Sequence, residues 1–319
     1  MNPRRVVIIG GTGFIGSTIA NRLSQAGVPT LIPTRRRSRA GHVLLLPTVD
    51  AIEADVHDPA TLAGVIAGAD AVVNTVGILH SRSGSPYGAD FARAHVELPK
   101  KIVAACRSAG VQRLIHISAL GADADAPSEY QRSKAAGEAA IRSTGADLAW
   151  TILRPSVVYG RGDHFLNLFA SLARRFPVLP LAGAKTRFQP VYVDDVAEVV
   201  MRALDVRDAA GQIFEVAGPT VYTLRELVEY VSALVGCPRP IIPLPEALAM
   251  LQARLLELAP RPLMSRDNVR SLRVDNVAHG VPLPFGLTPT ALEAVAPSWL
   301  GDSGPRARYY PFRRQAKRG

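Results

Sequence analysis

Short apolar runs alternate with stretches whose apolar residues return every three or four positions, and this rhythm holds through the first half of the chain. Val6-Val7-Ile8-Ile9 opens the series, a glycine-dense turn follows, and an amphipathic stretch runs over 17–25. Further strands are predicted over 28–34, 49–53, 69–75, 113–118 and 149–153, with helices over 59–66, 89–109 and 130–143. Asp58 directly before Pro59 is an N-cap arrangement for the helix at 59. Strands alternating with helices in this way predict an α/β fold with a parallel, doubly wound sheet. Because the strands are apolar throughout, the sheet is expected to be covered on both faces.

Beyond Pro155 the rhythm loosens. Helices are predicted over 163–175, 194–204, 224–235 and 246–258, and extended segments over 188–193 and 213–216. Residues 1–155 are therefore expected to form a dinucleotide-binding Rossmann domain. Residues 156–303 would be a smaller, mostly helical lobe partly interleaved with the sheet, and 304–319 a basic tail. In the helix at 246, Leu248, Leu251, Leu255 and Leu258 recur at three- and four-residue steps. Core packing is the expected use of that stripe, with a membrane-facing or partner-facing helix as the alternative.

The turn after the first strand carries the first chemistry. Glycines there allow a tight turn, close approach of the backbone to a pyrophosphate and tight helix packing. The helix N-terminus then offers unpaired N–H groups to the anion. Two frames fit, Gly11/Gly13/Gly16 and Gly10/Gly13/Gly16, with Thr12, Phe14 and Ile15 filling the turn. Dinucleotide sites that prefer NAD carry an acid about 20 residues beyond the glycines, whereas arginine there suits a 2′-phosphate. No acid occurs between Gly16 and Asp50, and Arg35 and Arg36 stand where the acid would be. A guanidinium fork matches phosphate geometry, so NADP(H) is the expected cofactor. Asp55-Val56 after the third strand is placed to reach an adenine, and Thr75-Val76-Gly77 ends the fourth strand beside the turn.

Tyr130 and Lys134 are the sharpest catalytic pair. Their i, i+4 spacing puts phenol and ammonium on one helix face. An ammonium beside it is expected to lower the tyrosine pKa toward acid/base use. Lys134 could also hold the nicotinamide ribose.

Composition narrows the partners. The net charge is +10, and it is accounted for by Arg35, Arg36, Arg37 and Arg39 together with Arg306, Arg308, Arg313, Arg314, Lys317 and Arg318. The rest is balanced, so no specific nucleic-acid surface is expected. Cationic residues interleaved with Tyr309, Tyr310 and Phe312 suit an anionic membrane surface, and an RNA contact or a solubilising end fits the same composition. Two cysteines, Cys106 and Cys237, form no disulfide framework, and no apolar run approaches the ~18 residues of a membrane span. A cytoplasmic protein is expected, peripheral on the inner face of the plasma membrane if the tail binds lipid. The histidines show no metal-ligand spacing.

With these residues in hand, the chain resembles an extended or atypical short-chain dehydrogenase/reductase over nearly its full length. The match is carried by Gly10/Gly13/Gly16, Asp55-Val56, Tyr130/Lys134, Arg154-Pro155 with Tyr159-Gly160, and Val193-Asp194-Asp195-Val196-Ala197. Within that superfamily it is most similar to the NAD(P)H-binding accessory subunit of respiratory complex I and its bacterial relatives. His116 to Ala122, Phe188 to Val193, Ala217-Gly218-Pro219 and Leu263 to Val269 carry this closer match. The resemblance implies Tyr130 as proton donor, Lys134 as ribose holder and Ser118 as a helper. It adds Ile117, Arg154, Pro155 and Val157 to the expected cofactor contacts. It also implies either an oxidoreductase on a hydrophobic, quinone- or isoprenoid-like substrate, or a non-catalytic NADPH-binding module of a respiratory assembly. Sugar-nucleotide epimerase is a further alternative. One departure is that Ala119 falls where extended members carry a serine. Ser118 then lies one residue early, and strand alternation turns it to the other face.

Overall fold

Val6–Ile9 (β1) has no solvent exposure at any of its four residues, which requires cover on both faces. In the computed structural model, which describes residues 3–259 and 262–301, that cover is two helical layers around a seven-stranded parallel sheet. The chain proceeds through Phe14–Gln25 (α1), Thr30–Thr34 (β2), Val49–Glu53 (β3), Pro59–Ile66 (α2) and Ala71–Asn74 (β4). Leu98–Ala109 (α3), Arg113–Ile117 (β5), Glu129–Arg142 (α4) and Ala149–Pro155 (β6) follow. The strand order is completed by Gln212–Val216 (β7) and runs β7-β6-β5-β4-β1-β2-β3. The order reverses at β1, where β2 lies on one side and β4 on the other, and ligands of such sheets bind at that crevice.

Alternation sorts the side chains. Val6, Ile8, Val73, Ile115 and Ile117 pack with α1 and with Val193–Asp205 (α6). Val7, Ile9, Val72, Leu114 and Ile152 face α2, α3 and α4. A smaller core beyond the sheet joins Phe165–Arg175 (α5) and Leu224–Leu234 (α7) to Leu179, Phe188 and Leu300. The C-terminal part is thus mainly helical, with Glu246–Leu256 (α8) and Arg266–Ser271 (α9) beside it. Among the described residues no helix is long and apolar enough to cross a membrane.

The helix predicted over 89–109 is continuous, with α-helical Ala89–Phe91 and a π-type turn over Ala92–Glu97 leading into α3. Pro99 lacks the N–H that would bond the His95 carbonyl, so the ladder is offset there. The leucine stripe of α8 does not enter the core. Ala249 and Ala253 are buried instead, and Leu248, Leu251 and Leu255 are 53%, 55% and 61% exposed. Asp194 and Asp195, in the first turn of α6, tie that helix to the rest of the fold. Asp194 lies 3.6 Å from Arg22, and Asp195 accepts from the Thr290 N–H and hydroxyl. The tail at 304–319 lies outside the described residues.

Candidate functional site

The glycine turn is shaped by backbone contacts that leave no room for side chains. Gly10 has φ +87°, and a Cβ there would lie 2.7 Å from Thr75 Oγ1. A Cβ on Gly16 would lie 2.4 Å from the Gly10 carbonyl oxygen. These are the positions of the Gly10/Gly13/Gly16 frame, with Gly13 exposed and acting as the N-cap of α1. Gly11 serves a different need, since its Cβ would collide with Ile32 of β2. No side chain caps α1 and no acid occupies its first turn, so its N-terminal N–H groups and partial positive charge are open to an anion. Thr12 and Phe14 are half-buried in the turn, and Ile15 packs toward the α1/α6 core.

At the end of β2, Arg35 and Arg36 are exposed, and neither guanidinium forms an ion pair among the described residues. Thr75 donates to the Ile9 carbonyl through both N–H and hydroxyl, locking the ends of β4 and β1 together. Val76 and Val56 pack against the α2/α3 layer. Gly77 is exposed, and a Cβ there would lie 4.0 Å from Lys134 Nζ and from His95 Nε2.

Tyr130 and Lys134 open α4, and the helix is anchored three ways. Ser128 Oγ accepts the Gln131 N–H. The buried Asp267 of α9 accepts the Glu129 N–H at 2.7 Å and the Tyr130 N–H at 3.0 Å. Glu129 reaches back to the Gly84 and Gly88 N–H groups. Lys134 Nζ donates to the Ile117 carbonyl at 2.8 Å. Burial pulls the ammonium down to about 8. Burial also pushes the Tyr130 phenol up to about 12. The lowering of the Tyr130 pKa expected from its neighbour is therefore not what the fold produces. Desolvation outweighs the ammonium, whose hydrogen bond goes to a backbone carbonyl.

Ser118 also departs from expectation. It continues the parity of Leu114 and His116, whose side chains lie on the α4 side of β5, so alternation does not turn it away. Its hydroxyl is buried with no hydrogen-bond partner among the described residues. An orphaned buried hydroxyl costs about 1–3 kcal/mol unless a ligand pairs with it. Two other expected contact residues have partners within the chain. The exposed Asp55 accepts the His57 N–H at 2.9 Å through Oδ1, which fixes the turn after β3. The Arg154 fork is engaged by the buried Glu138 through bonds of 2.9 and 2.6 Å, which ties β6 to α4. Pro155 and Val157 contribute backbone, the Pro155 carbonyl to the Leu120 N–H and the Val157 N–H to Asn276 Oδ1.

A model described as the NAD dependent epimerase/dehydratase family matches residues 6–217, spanning the glycine turn through the last strand of the sheet. The chain belongs to this family. A rat relative named NADH dehydrogenase [ubiquinone] 1 alpha subcomplex subunit 9, mitochondrial, is 33% identical over 90% of this chain and 77% of its own. A Caulobacter vibrioides relative named ceramide reductase is 33% identical over 60% of this chain and 58% of its own. The fold is shared with DesIV, a dTDP-glucose 4,6-dehydratase from Streptomyces venezuelae with NAD and TYD bound. That structure has a TM-score of 0.69 at 20% identity, over 96% of this chain and 99% of that one. The resemblance read from the motifs, to short-chain dehydrogenases/reductases and to the complex I subunit, therefore holds.

Within this epimerase/dehydratase frame, three residues of the site escaped the sequence reading. His95 is buried in the π-type turn. Its Nε2 accepts the Ile78 N–H at 3.0 Å, and its Nδ1 lies 2.8 Å from Ser133 Oγ. Nε2 must therefore be the unprotonated nitrogen and Nδ1 the donor. Burial, reinforced by Lys134, lowers its pKa to about 2. The ring stacks on Phe91 and meets Tyr130 edge-on. Asn276 accepts from Ser156 and Val157 at the end of β6, and Asp267 anchors α4. A lone histidine or asparagine in a helical or loop stretch carries no spacing signal. Asp267 sat inside a stretch noted only for its resemblance.

Proposed function

We propose that the chain is an NADPH-dependent reductase acting on the carbonyl of a hydrophobic, quinone- or isoprenoid-like substrate at a membrane surface. Residues 1–155 would serve as the cofactor domain and 156–303 as the substrate lobe. One observation carries the reading: the half-buried Tyr130 lies one helical turn before the buried Lys134, whose ammonium donates to the Ile117 carbonyl at 2.8 Å, and the next residue of that strand end, Ser118, has a buried hydroxyl with no partner among the described residues.

The residues present fit the dinucleotide. Gly10 and Gly16 keep the turn tight against the ends of β1 and β4, the exposed Gly13 leaves the α1 N-terminus open, and among the described residues Arg35 and Arg36 have no ion pair and offer their forks to a 2′-phosphate. NADPH bound there supplies a hydride. Lys134 would hold the ribose hydroxyls, Tyr130 would give its phenolic proton to the substrate oxygen as the carbonyl carbon takes the hydride, and the ammonium would steady the phenolate left behind. Ser118 donates to the same oxygen. Exposed Leu79, two residues past Gly77, adds apolar surface at the mouth.

The test pairs thermal stabilisation by NADPH and NADH with NADPH oxidation over quinone and carbonyl substrates. A larger shift with NADPH, and loss of oxidation in Tyr130→Phe with the shift retained, is the expected result. Equal shifts would remove the role of Arg35, and unchanged oxidation in the variant would remove that of Tyr130. A second reading, an NADPH-binding accessory module without turnover, is favoured by the relatives that carry complex I subunit names. It predicts the NADPH shift with no oxidation of any substrate.

A further inference from the structure

The backbone that follows β4 and the helix that carries Tyr130 and Lys134 come from separate parts of the chain, and one side chain joins them. His95, in the π-type turn before α3, is buried between the two. Its Nε2 accepts the Ile78 N–H at 3.0 Å, so that nitrogen holds no proton. Its Nδ1 lies 2.8 Å from Ser133 Oγ. The Ser133 hydroxyl gives its one proton to the Tyr130 carbonyl at 2.7 Å, so toward the ring it can only accept. Each hydrogen of the run therefore has one place. The run leads from the Ile78 N–H through the imidazole and the Ser133 hydroxyl to the carbonyl of the residue that bears the phenol.

Two further contacts fix the ring beside the pair. A Cβ on Gly77 would lie 4.0 Å from both His95 Nε2 and Lys134 Nζ, so the two nitrogens converge on the Gly77–Ile78 backbone. The imidazole stacks on Phe91 with centroids 5.4 Å apart and meets the Tyr130 ring edge-on at 5.5 Å. Lys134 in turn donates to the Ile117 carbonyl. The end of β4 is thus tied to α4 through His95, and the end of β5 through Lys134. Strand β4 borders the crevice where the sheet order reverses. Only a neutral ring can make this link, because a protonated one would set N–H against the Ile78 N–H and a second cation beside the Lys134 ammonium.

We propose that His95 is a positioning residue: as the neutral Nδ1–H tautomer it clamps the Gly77–Ile78 backbone to the first turn of α4 and so sets the place of that backbone relative to Tyr130 and Lys134. The consequence for turnover rests on the reductase function proposed above, whereas the clamp itself does not.

The test uses the full chain with nitrogen-labelled histidine, read by NMR, and its His95→Phe and His95→Gln variants. Phenylalanine keeps a flat ring against Phe91 and Tyr130 but has neither nitrogen. Glutamine has an amide able to accept from Ile78 and donate to Ser133. The histidine signal that His95→Gln removes should be that of the neutral Nδ1–H tautomer. Amide exchange at Ile78 should accelerate by about tenfold or more in His95→Phe and be largely restored in His95→Gln. With the quinone or carbonyl compound that the wild type reduces fastest, kcat should fall by about tenfold or more in His95→Phe and recover in His95→Gln, while the KM for NADPH stays within about threefold. An Nε2–H tautomer overturns the proposal, as does Ile78 exchange in His95→Phe equal to wild type, or a glutamine variant that exchanges as fast as the phenylalanine one. A His95→Phe protein of lower Tm but wild-type kcat also overturns it, because the ring would then serve stability alone. A wild type that oxidises no NADPH would end the reductase reading, and the tautomer and the Ile78 exchange would still decide the clamp.

Discussion

At Gly16 a single methyl group decides whether the turn closes. The Cβ of Gly16→Ala would sit 2.4 Å from a backbone oxygen that cannot move aside without opening the turn. The expected cost is about 1–3 kcal/mol, seen as a lower Tm, together with loss of the NADPH-induced shift. Lys134 governs the pH response of binding. Its ammonium titrates at about 8 in the folded chain because burial disfavours the charge. An anionic cofactor that needs the charged form raises that pKa on binding. Affinity is then full below pH 8 and falls as pH rises through it, with proton uptake on the alkaline side. Calorimetry at pH 8.5 in two buffers of different ionisation enthalpy should show that uptake, and Lys134→Met should abolish it. At Tyr130 burial acts in the opposite sense. A phenol at about 12 remains protonated at neutral pH, as a proton donor requires.

At the scale of an element, α4 holds the pair only because other parts of the chain hold α4. Asp267, from a helix more than a hundred residues away, supplies acceptors to the first N–H groups and a negative charge at the positive end of the dipole. Asp267→Ala leaves two buried donors unpaired and should cost about 1–3 kcal/mol by urea denaturation. Asp267→Asn should recover part of that, since one amide oxygen can still accept. Turnover in the alanine variant should fall more than cofactor affinity, because Tyr130 carries one of the two N–H groups. The π-type turn on the opposite side works similarly. Pro99 frees the His95 carbonyl, and that carbonyl packs against α4 so closely that a Cβ on Gly137 would lie 2.0 Å away. The helix axis there leaves room only for glycine.

At the scale of the molecule, burial of uncharged bases sets the acid limit of the fold. His95 and His116 are both buried and neutral, and His116 lies well below its ordinary range through burial and the nearby Lys134. In the unfolded chain each takes up a proton near pH 6.5 and in the folded chain neither does until far lower. Stability should therefore fall as pH drops below 6.5, by about 1.4 kcal/mol per pH unit for each histidine that is protonated in the unfolded chain alone. Urea midpoints between pH 4 and 7 measure this. A His95→Asn/His116→Asn variant should show a shallower slope. Parallel curves for the two proteins would mean that other groups set the limit.

What the amino-acid order determined by itself is what local periodicity and steric need can encode. The alternating runs specified a parallel α/β sheet, the glycines a tight turn after β1, and the four-residue spacing a phenol and ammonium on one helix face. Absence of acid between Gly16 and Asp50 was equally legible, because it concerns composition at a fixed distance from the turn. Tertiary structure decided whatever depends on a distant partner or on the solvent. That Arg154 pairs with Glu138, and that Asp55 accepts the His57 N–H, were such facts. Ser118 recovered its orientation from the parity of β5. The Tyr130 pKa moved upward because burial, which no short motif reports, outweighed one neighbouring charge. The leucines of α8 have the same helical period whether they face the core or the solvent. Only the packing of Ala249 and Ala253 showed which side was left uncovered.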